Sequence, residues 1–347
     1  MEWSKPQYTR REVNWAGKYL THPPENPNIK DYGHASDIVD NFRAAHSFPL
    51  NTLQNRLRLL ANCVDDTCIV SQRLKRLSST IAKLERFEKM ELWDMQDIGG
   101  CRAVVKNILE VDKVVDAFKS SEIKHKLTHE DDYIRNPKIS GYRSRHLVYR
   151  YFSERNKTYN GMKIEVQIRS PLQHAWATTV ETVDIFTQQA LKSSRGSKDW
   201  ERFFQLMSTE MAFSEQSPLV PNTPTNYDEL KRQLKLCAKE LDVDRTLRGF
   251  ATALRITRQA SVKDKGNIFF LLSLNNSKER LNVVGYDRKG LEEASADYSK
   301  KEQQIRKGKI TDAVLVSVDS VRNLERAYPN YFADNGVFLD KLRKALE

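Results

Sequence analysis

The sequence predicts an α+β protein: a mixed β-sheet flanked by helices, followed by a second, smaller α+β domain. Three observations predict it. Period-two strand patterns alternate with helical ones, as in "KIEVQIR" (163–169) beside "PLQHAWATTVETVDIFTQQALK" (171–192). The 347 residues are 39% hydrophobic, enough for two domains with a core in each. A stretch with three prolines and little apolar content, "SEQSPLVPNTPTN" (214–226), separates two runs of elements. The expected division is therefore 1–213, a linker over 214–226, and 227–347.

Residues 1 to about 62 read as helical, with Pro49 breaking or kinking the run. In "SQRLKRLSSTIAKLERFEKM" (71–90), Leu74, Leu77, Ile81 and Leu84 recur at helical spacing and predict one helix. Arg76 and Lys83 lie on another side of it, flanked by Arg73 and Arg86. "CRAVV" (101–105) reads as a buried strand after a glycine turn at Gly99-Gly100, and a helix is expected over 110–120. "RHLVYRYF" (145–152) and "KIEVQIR" read as strands of an antiparallel hairpin, with Asn160-Gly161 as the turn signal. Helices follow over 171–192, with proline in the first turn, and over 198–213.

Beyond the linker, helices are expected over 227–241 and 243–259, then a hairpin from "NIFFLLSLN" and "RLNVVGYD". A charged helix over 291–307, the strand "DAVLVSV" (312–318), a helix through "DSVRNLERAY" and a short last helix complete the chain. No internal repeat is visible.

There is no apolar run of about 18 residues, which argues against a transmembrane helix. The start, "MEWSKPQYTR", lacks a basic-then-apolar leader, so a cytoplasmic location with no membrane partner is expected. Cys63, Cys68, Cys101 and Cys237 fit neither a CxxC pair nor a zinc ligand set, and free thiols are expected. The net charge of +11 suits an anionic partner, nucleotide phosphates or RNA, though a generic basic surface would also produce it.

Four segments of the first domain are dense in phosphate-compatible groups. The cations Arg73, Lys75, Arg76, Lys83 and Arg86 suit a polyphosphate, or simply a solvated helix face. In "DIGGCR" (97–102), Asp97 suits Mg²⁺, a hard cation that prefers oxygen ligands, or a turn aspartate bonding its own backbone. In the loop "DDYIRNPKISGYRSRH" (131–146), Tyr142 between Gly141 and Arg143 suits base stacking, or tucks under the loop. On the strand at 163–169, Glu165, Gln167 and Arg169 share one face at about 6–7 Å intervals, close enough to meet one extended ligand together. Glu165 is the candidate second magnesium ligand or general base.

"RLKRLSSTIAKLER", "DIGGCR", "YIRNPKISGYRSRH" and "EVQIRS" occur in the order and spacing of the RelA/SpoT synthetase family, which residues 40–213 resemble. The resemblance implies a nucleotidyltransferase-like fold and a magnesium-dependent pyrophosphokinase that moves the β,γ-pyrophosphate of ATP onto a 3′-hydroxyl. It implies that Arg73, Lys75, Lys83 and Arg86 hold ATP phosphates and that Arg102 faces the adenine or phosphates. It makes Asp97 and Glu165 the metal-binding and catalytic carboxylates. It gives Lys138, Tyr142, Arg143 and His146 to the acceptor loop, and Gln167 and Arg169 to the acceptor ribose and phosphates. The chain departs from the pattern at Gly100-Cys101, where Gly-Ile is more usual, and at Glu181-Thr182, where many members carry Glu-His. The first 60 residues contain no His-Asp dyad, so a hydrolase activity is not expected.

The second domain carries "ERAYPNYF", with Tyr328 and Tyr331 three apart. They suit insertion into an adenine pocket, or ordinary aromatic packing. The layout resembles CapRel-type fused toxin–antitoxin synthetases. That resemblance implies a tRNA 3′-CCA acceptor, a C-terminal domain restraining the ATP site, and relief by a phage protein in anti-phage defence. GDP or GTP as acceptor, and a sensor that binds nucleotide or RNA without turnover, are the alternative readings.

Overall fold

The computed structural model describes residues 3–26, 28–190, 197–263, 266–275, 280–287, 289–290, scattered positions between 293 and 304, 312–317 and 331–347. The chain divides into two compact units. The first comprises residues 1–136 and 143–171; the second comprises 137–142 and 172–347.

The first unit opens with helices α1 (Arg10–Thr21), α2 (Ile29–Ala45) and α3 (Ser47–Val64). Thr9 and Glu12 close a capping box on α1, and Asn28 caps α2. The expected break near Pro49 falls between α2 and α3. Pro49 then sits in the first turn of α3, where its missing N–H has no helical partner to lose.

A five-stranded sheet follows: β1 (Ile69–Leu74), β2 (Gly99–Val104), β3 (Lys126–Asp132), β4 (Arg145–Arg150) and β5 (Lys163–Arg169). Spatial order is β1-β2-β5-β4-β3. Only β2 and β5 run parallel, so the sheet is mixed, as expected. Helices α4 (Leu77–Arg86) and α5 (Ile108–Ser120) complete the unit. Inward residues of the strands, among them Cys101, Ala103, Leu147, Ile164, Val166 and Ile168, form one core with α3 and α5. A second cluster joins α1, α2 and α4 through Val13, Ile38, Phe42, Leu84 and Leu92.

Three expectations are corrected here. The helix foreseen over 71–90 is a strand and a shorter helix. Residues up to Leu74 pair antiparallel with β2, and the Lys75 N–H donates to Ile98 O at 2.8 Å. Gly99 and Gly100 are strand residues rather than a turn; a Cβ at Gly99 would lie 2.7 Å from Ile164 Cδ1. Strand β3 was not foreseen, because "KLTHEDD" is polar at nearly every position. It forms the sheet edge, where Glu130 and Asp132 pair with Lys119, Arg135 and Arg145. The β4–β5 hairpin forms as expected, and Gly161 supplies φ +94° at its turn.

The second unit contains helices α6 (Pro171–Ala190, from Leu172), α7 (Ser197–Glu215), α8 (Tyr227–Glu240), α9 (Val243–Lys263) and α10 (Tyr331–Leu346). Trp176, Phe203, Phe204, Leu230, Leu234 and Phe338 fill its core. An antiparallel sheet of β6 (Phe269–Asn275), β7 (Arg280–Tyr286) and β8 (Asp312–Ser317) has order β7-β6-β8, which includes the expected hairpin. The expected helix over 291–307 falls largely outside the described residues. The helix through 319–328, and Tyr328 with it, falls wholly outside them. Tyr331 begins α10. Among the described residues no helix is long and apolar enough to cross a membrane, and the four cysteines are free.

Candidate active site

Strand register assembles a polar face on the first unit. Residues directly paired across a ladder share a face. One line across the sheet reads Arg73, Gly100, Glu165, Val148. The next reads Ser71, Arg102, Gln167, His146, Asp131. The opposite face is the apolar core, which is why the polar row on β5 alternates with Ile164, Val166 and Ile168.

Asp97 lies two residues before β2 and is gripped from both sides. Lys75, just past β1, donates to Oδ2 at 2.9 Å, and Lys83, on α4, donates to Oδ1 at 2.9 Å. Burial pushes the Asp97 pKa up, but Lys75 and Lys83 outweigh it against the opposing charge of Glu165, and the pKa falls below the ordinary carboxylate value. The same Lys83 also acts on Glu165. The two carboxylates and the lysine therefore form one electrostatic cluster.

Glu165 accepts on both oxygens. The His146 Nδ1 lies 2.9 Å from Oε1, and the Gln167 Nε2 donates to Oε2 at 2.6 Å. Burial raises its pKa, yet the electrostatic pull and hydrogen bond of His146, the Gln167 amide and the charge of Lys83 bring it down to about 2. At neutral pH it is an ionised, acceptor-only group, so the His146 nitrogen facing it carries the proton. Sequence reasoning missed this pairing of His146, which follows from the β4–β5 register.

The remaining expected residues divide. Arg73 is exposed on the edge strand β1, Arg102 shares the polar face, and exposed Arg86 lies 4.9 Å over the Phe87 ring. Arg143 is 3% exposed and donates to Ile134 O at 3.3 Å, so it braces the loop backbone. Arg145 and Arg135 are tied to Asp112 and Asp132. Lys163, at the head of the polar row, pairs with Asp94 at 3.0 Å. Lys138 and Tyr142 belong to the second unit, where the Lys138 ammonium sits 5.4 Å over the Tyr142 ring. Gly141 beside them has φ +94° and accepts from Ser208 Oγ at 2.6 Å.

The two carboxylates fit a magnesium ion by the chemistry of their donors. Mg²⁺ takes oxygen ligands, commonly one or two carboxylates together with substrate phosphates and waters. Both groups are held in the ionised form that a ligand requires. Among the described residues no group of three or more His, Cys, Asp or Glu side chains that could hold a metal ion occurs.

Residues 72–186 match the family model described as the region found in RelA / SpoT proteins. Two GTP pyrophosphokinases of Bacillus subtilis (strain 168) are similar to the chain. YjbM is 31% identical over 111 residues, which cover 31% of this chain and 52% of that protein. YwaC is also 31% identical over 111 residues, covering 30% and 52%. The chain thus spans about half the length of these relatives. The crystal structure of the small alarmone synthetase 1 from Bacillus subtilis aligns with a TM-score of 0.45 and 23% identity, over 52% of this chain and 93% of that one. Residues 72–186 of this chain are accordingly similar to the region found in RelA / SpoT proteins.

Proposed function

We propose that this protein is a pyrophosphokinase that moves the β,γ-pyrophosphate of ATP onto a ribose 3′-hydroxyl. The observation that carries the reading is the Asp97–Lys83–Glu165 cluster beside a sheet face bearing Arg73 and Arg102. Phosphoryl-type transfer needs charge neutralisation and alignment more than covalent chemistry. Arg73, Lys75, Lys83, Arg86 and Arg102 supply the cations for the triphosphate. Asp97 and Glu165 would hold magnesium, which would neutralise charge developing on the phosphate oxygens. Glu165 accepts the hydrogen bond of the attacking hydroxyl and orients it. As the hydroxyl oxygen bonds to the β-phosphorus, the bond from that phosphorus to the α-phosphate oxygen breaks, AMP leaves and the hydroxyl proton passes to water.

Two acceptors remain in play, and each has support. The relatives' names, GTP pyrophosphokinase, favour a guanosine nucleotide. The net charge of +11 and the C-terminal residues beyond the matched segment favour the tRNA 3′ end, with the C-terminal region restraining the ATP site through Tyr328 and Tyr331 until a phage protein binds it. The test is the full chain with γ-labelled ATP and magnesium, offered GDP, GTP and tRNA side by side, with Glu165→Gln as control. Label on a guanosine nucleotide or on tRNA names the acceptor. Label on neither, with nucleotide binding retained, would make the protein a sensor and sink the enzyme. A Tyr328→Ala/Tyr331→Ala chain should label faster than wild type if the restraint operates; an equal rate would end that part of the reading.

A further inference from the structure

We infer that Gln167 and Arg169 are positioning residues that brace the Glu165 carboxylate rather than ligands of the acceptor, an inference that rests on the pyrophosphokinase reading above. The motif resemblance assigned both to the acceptor. The geometry ties them to each other instead.

A guanidinium only donates, so the Gln167 atom 2.8 Å from Arg169 Nη2 is its carbonyl oxygen. The amide nitrogen must then point the opposite way along the strand. There it meets Glu165 Oε2 at 2.6 Å. Arg169 is itself anchored: it is 3% exposed, and its Nε donates to Ser144 Oγ at 3.3 Å. Ser144 is 0% exposed, with its hydroxyl 3.3 Å from Ile168 O. The chain therefore runs from a buried serine through Arg169 and Gln167 to Glu165, with one polar residue at every second position of β5.

The consequence is directional. A carboxylate attached through a terminal sp³–sp² torsion swings broadly when nothing holds it. Here Gln167 takes one oxygen and His146 the other. An ionised carboxylate has about four lone-pair sites, so roughly two remain, and their directions are fixed in advance. A fixed carboxylate needs no reorganisation when the hydroxyl arrives.

Gln167→Leu keeps the side-chain size and removes both ends of the link. With saturating ATP and the acceptor that takes label in the assay above, GDP, GTP or tRNA, kcat should fall about 10- to 100-fold while the acceptor KM stays within about threefold. Combining it with Arg169→Met should cost no more than about threefold beyond the worse single change, because both break one chain. Gln167→Leu alone carries the kinetic comparison if Arg169→Met does not fold. A raised acceptor KM at unchanged kcat, or single effects that multiply, would overturn the bracing role. A crystal structure of Gln167→Leu gives a readout independent of turnover. The Glu165 carboxylate should be rotated or spread over several positions, and an unmoved carboxylate would refute the inference. If wild type labels no acceptor, the pyrophosphokinase reading fails, while this crystallographic arm still decides the bracing.

Discussion

Gly100 stands directly opposite Glu165 in the parallel β2–β5 ladder, and its other ladder partner is Arg73. A Cβ placed at Gly100 would meet only the Glu165 carbonyl oxygen, at 3.9 Å. The backbone there is ordinary strand, so the fold does not need a glycine. Gly100→Val should leave stability within about 1 kcal/mol of wild type, since β-branched residues suit strands. Its methyl groups would stand on the polar face between Arg73 and Glu165. Pyrophosphate transfer should drop at least about tenfold, equivalent to about 1.4 kcal/mol of barrier. Thermal melts and the labelled transfer assay check the two halves separately. A stable and fully active Gly100→Val protein would mean that this face is not where the triphosphate lies.

Acid should destabilise the protein through Glu165. Its folded pKa is about 2 against an ordinary value of 4.5. A group whose pKa is depressed by folding contributes stability that is fully present above the unfolded value and is lost as pH falls through the folded one. The window is therefore about pH 5 down to pH 2, and Asp97, lowered in the same direction, adds to it. The contribution of Glu165 is on the order of 3 kcal/mol. Denaturant unfolding from pH 7 to pH 3 should show falling stability, and Glu165→Gln should flatten that slope. Parallel slopes for the two proteins would count against the pairing with His146 and Gln167.

Much of the sheet was legible because β5 alternates apolar and polar residues and β4 carries a short apolar run, both over a buried core. Strand β1 was hidden because Leu74, Leu77, Ile81 and Leu84 keep helical spacing across an element boundary. What ends β1 is pairing with Gly99 and Ile98, a contact more than 20 positions along the chain. Strand β3 was hidden because its partners are ion pairs, which leave no apolar period to read. Asp97 and Glu165 were visible through motif order. The hydrogen-bond partners of His146, Gln167 and Arg169 were not, since a side chain's partner depends on register and on which end of an amide faces a donor.

Gly141 is a position where the backbone itself demands glycine. Its φ is +94°, and a Cβ there would lie 3.0 Å from both Ser208 Cβ and Trp176 Cζ2. Those neighbours belong to the packed α6–α7 core and have little room to give. Gly141→Ala combines left-handed strain with a steric clash, and should cost about 2–4 kcal/mol. Substituting Ser208 by glycine as well relieves one of the two clashes and leaves the Trp176 contact and the strain, so it should restore only part of the loss. Full restoration in urea unfolding would show that strain contributes nothing.

Glu210 on α7 is 2% exposed and pairs with Lys341 on α10, whose Nζ lies 2.7 Å from Oε1. The Tyr227 hydroxyl stands 3.4 Å from the same oxygen. A buried ion pair adds little net stability over an apolar pair of similar size, but removing one partner strands the other charge. Lys341→Met should therefore destabilise the second unit by about 3–5 kcal/mol. Glu210→Gln/Lys341→Met removes both charges and should recover most of that loss. The two variants separate a charge effect from a packing effect, since both carry the same methionine. If the double variant unfolds at the same denaturant concentration as Lys341→Met alone, the lysine acts through its aliphatic stem and the Glu210 charge is not what it stabilises.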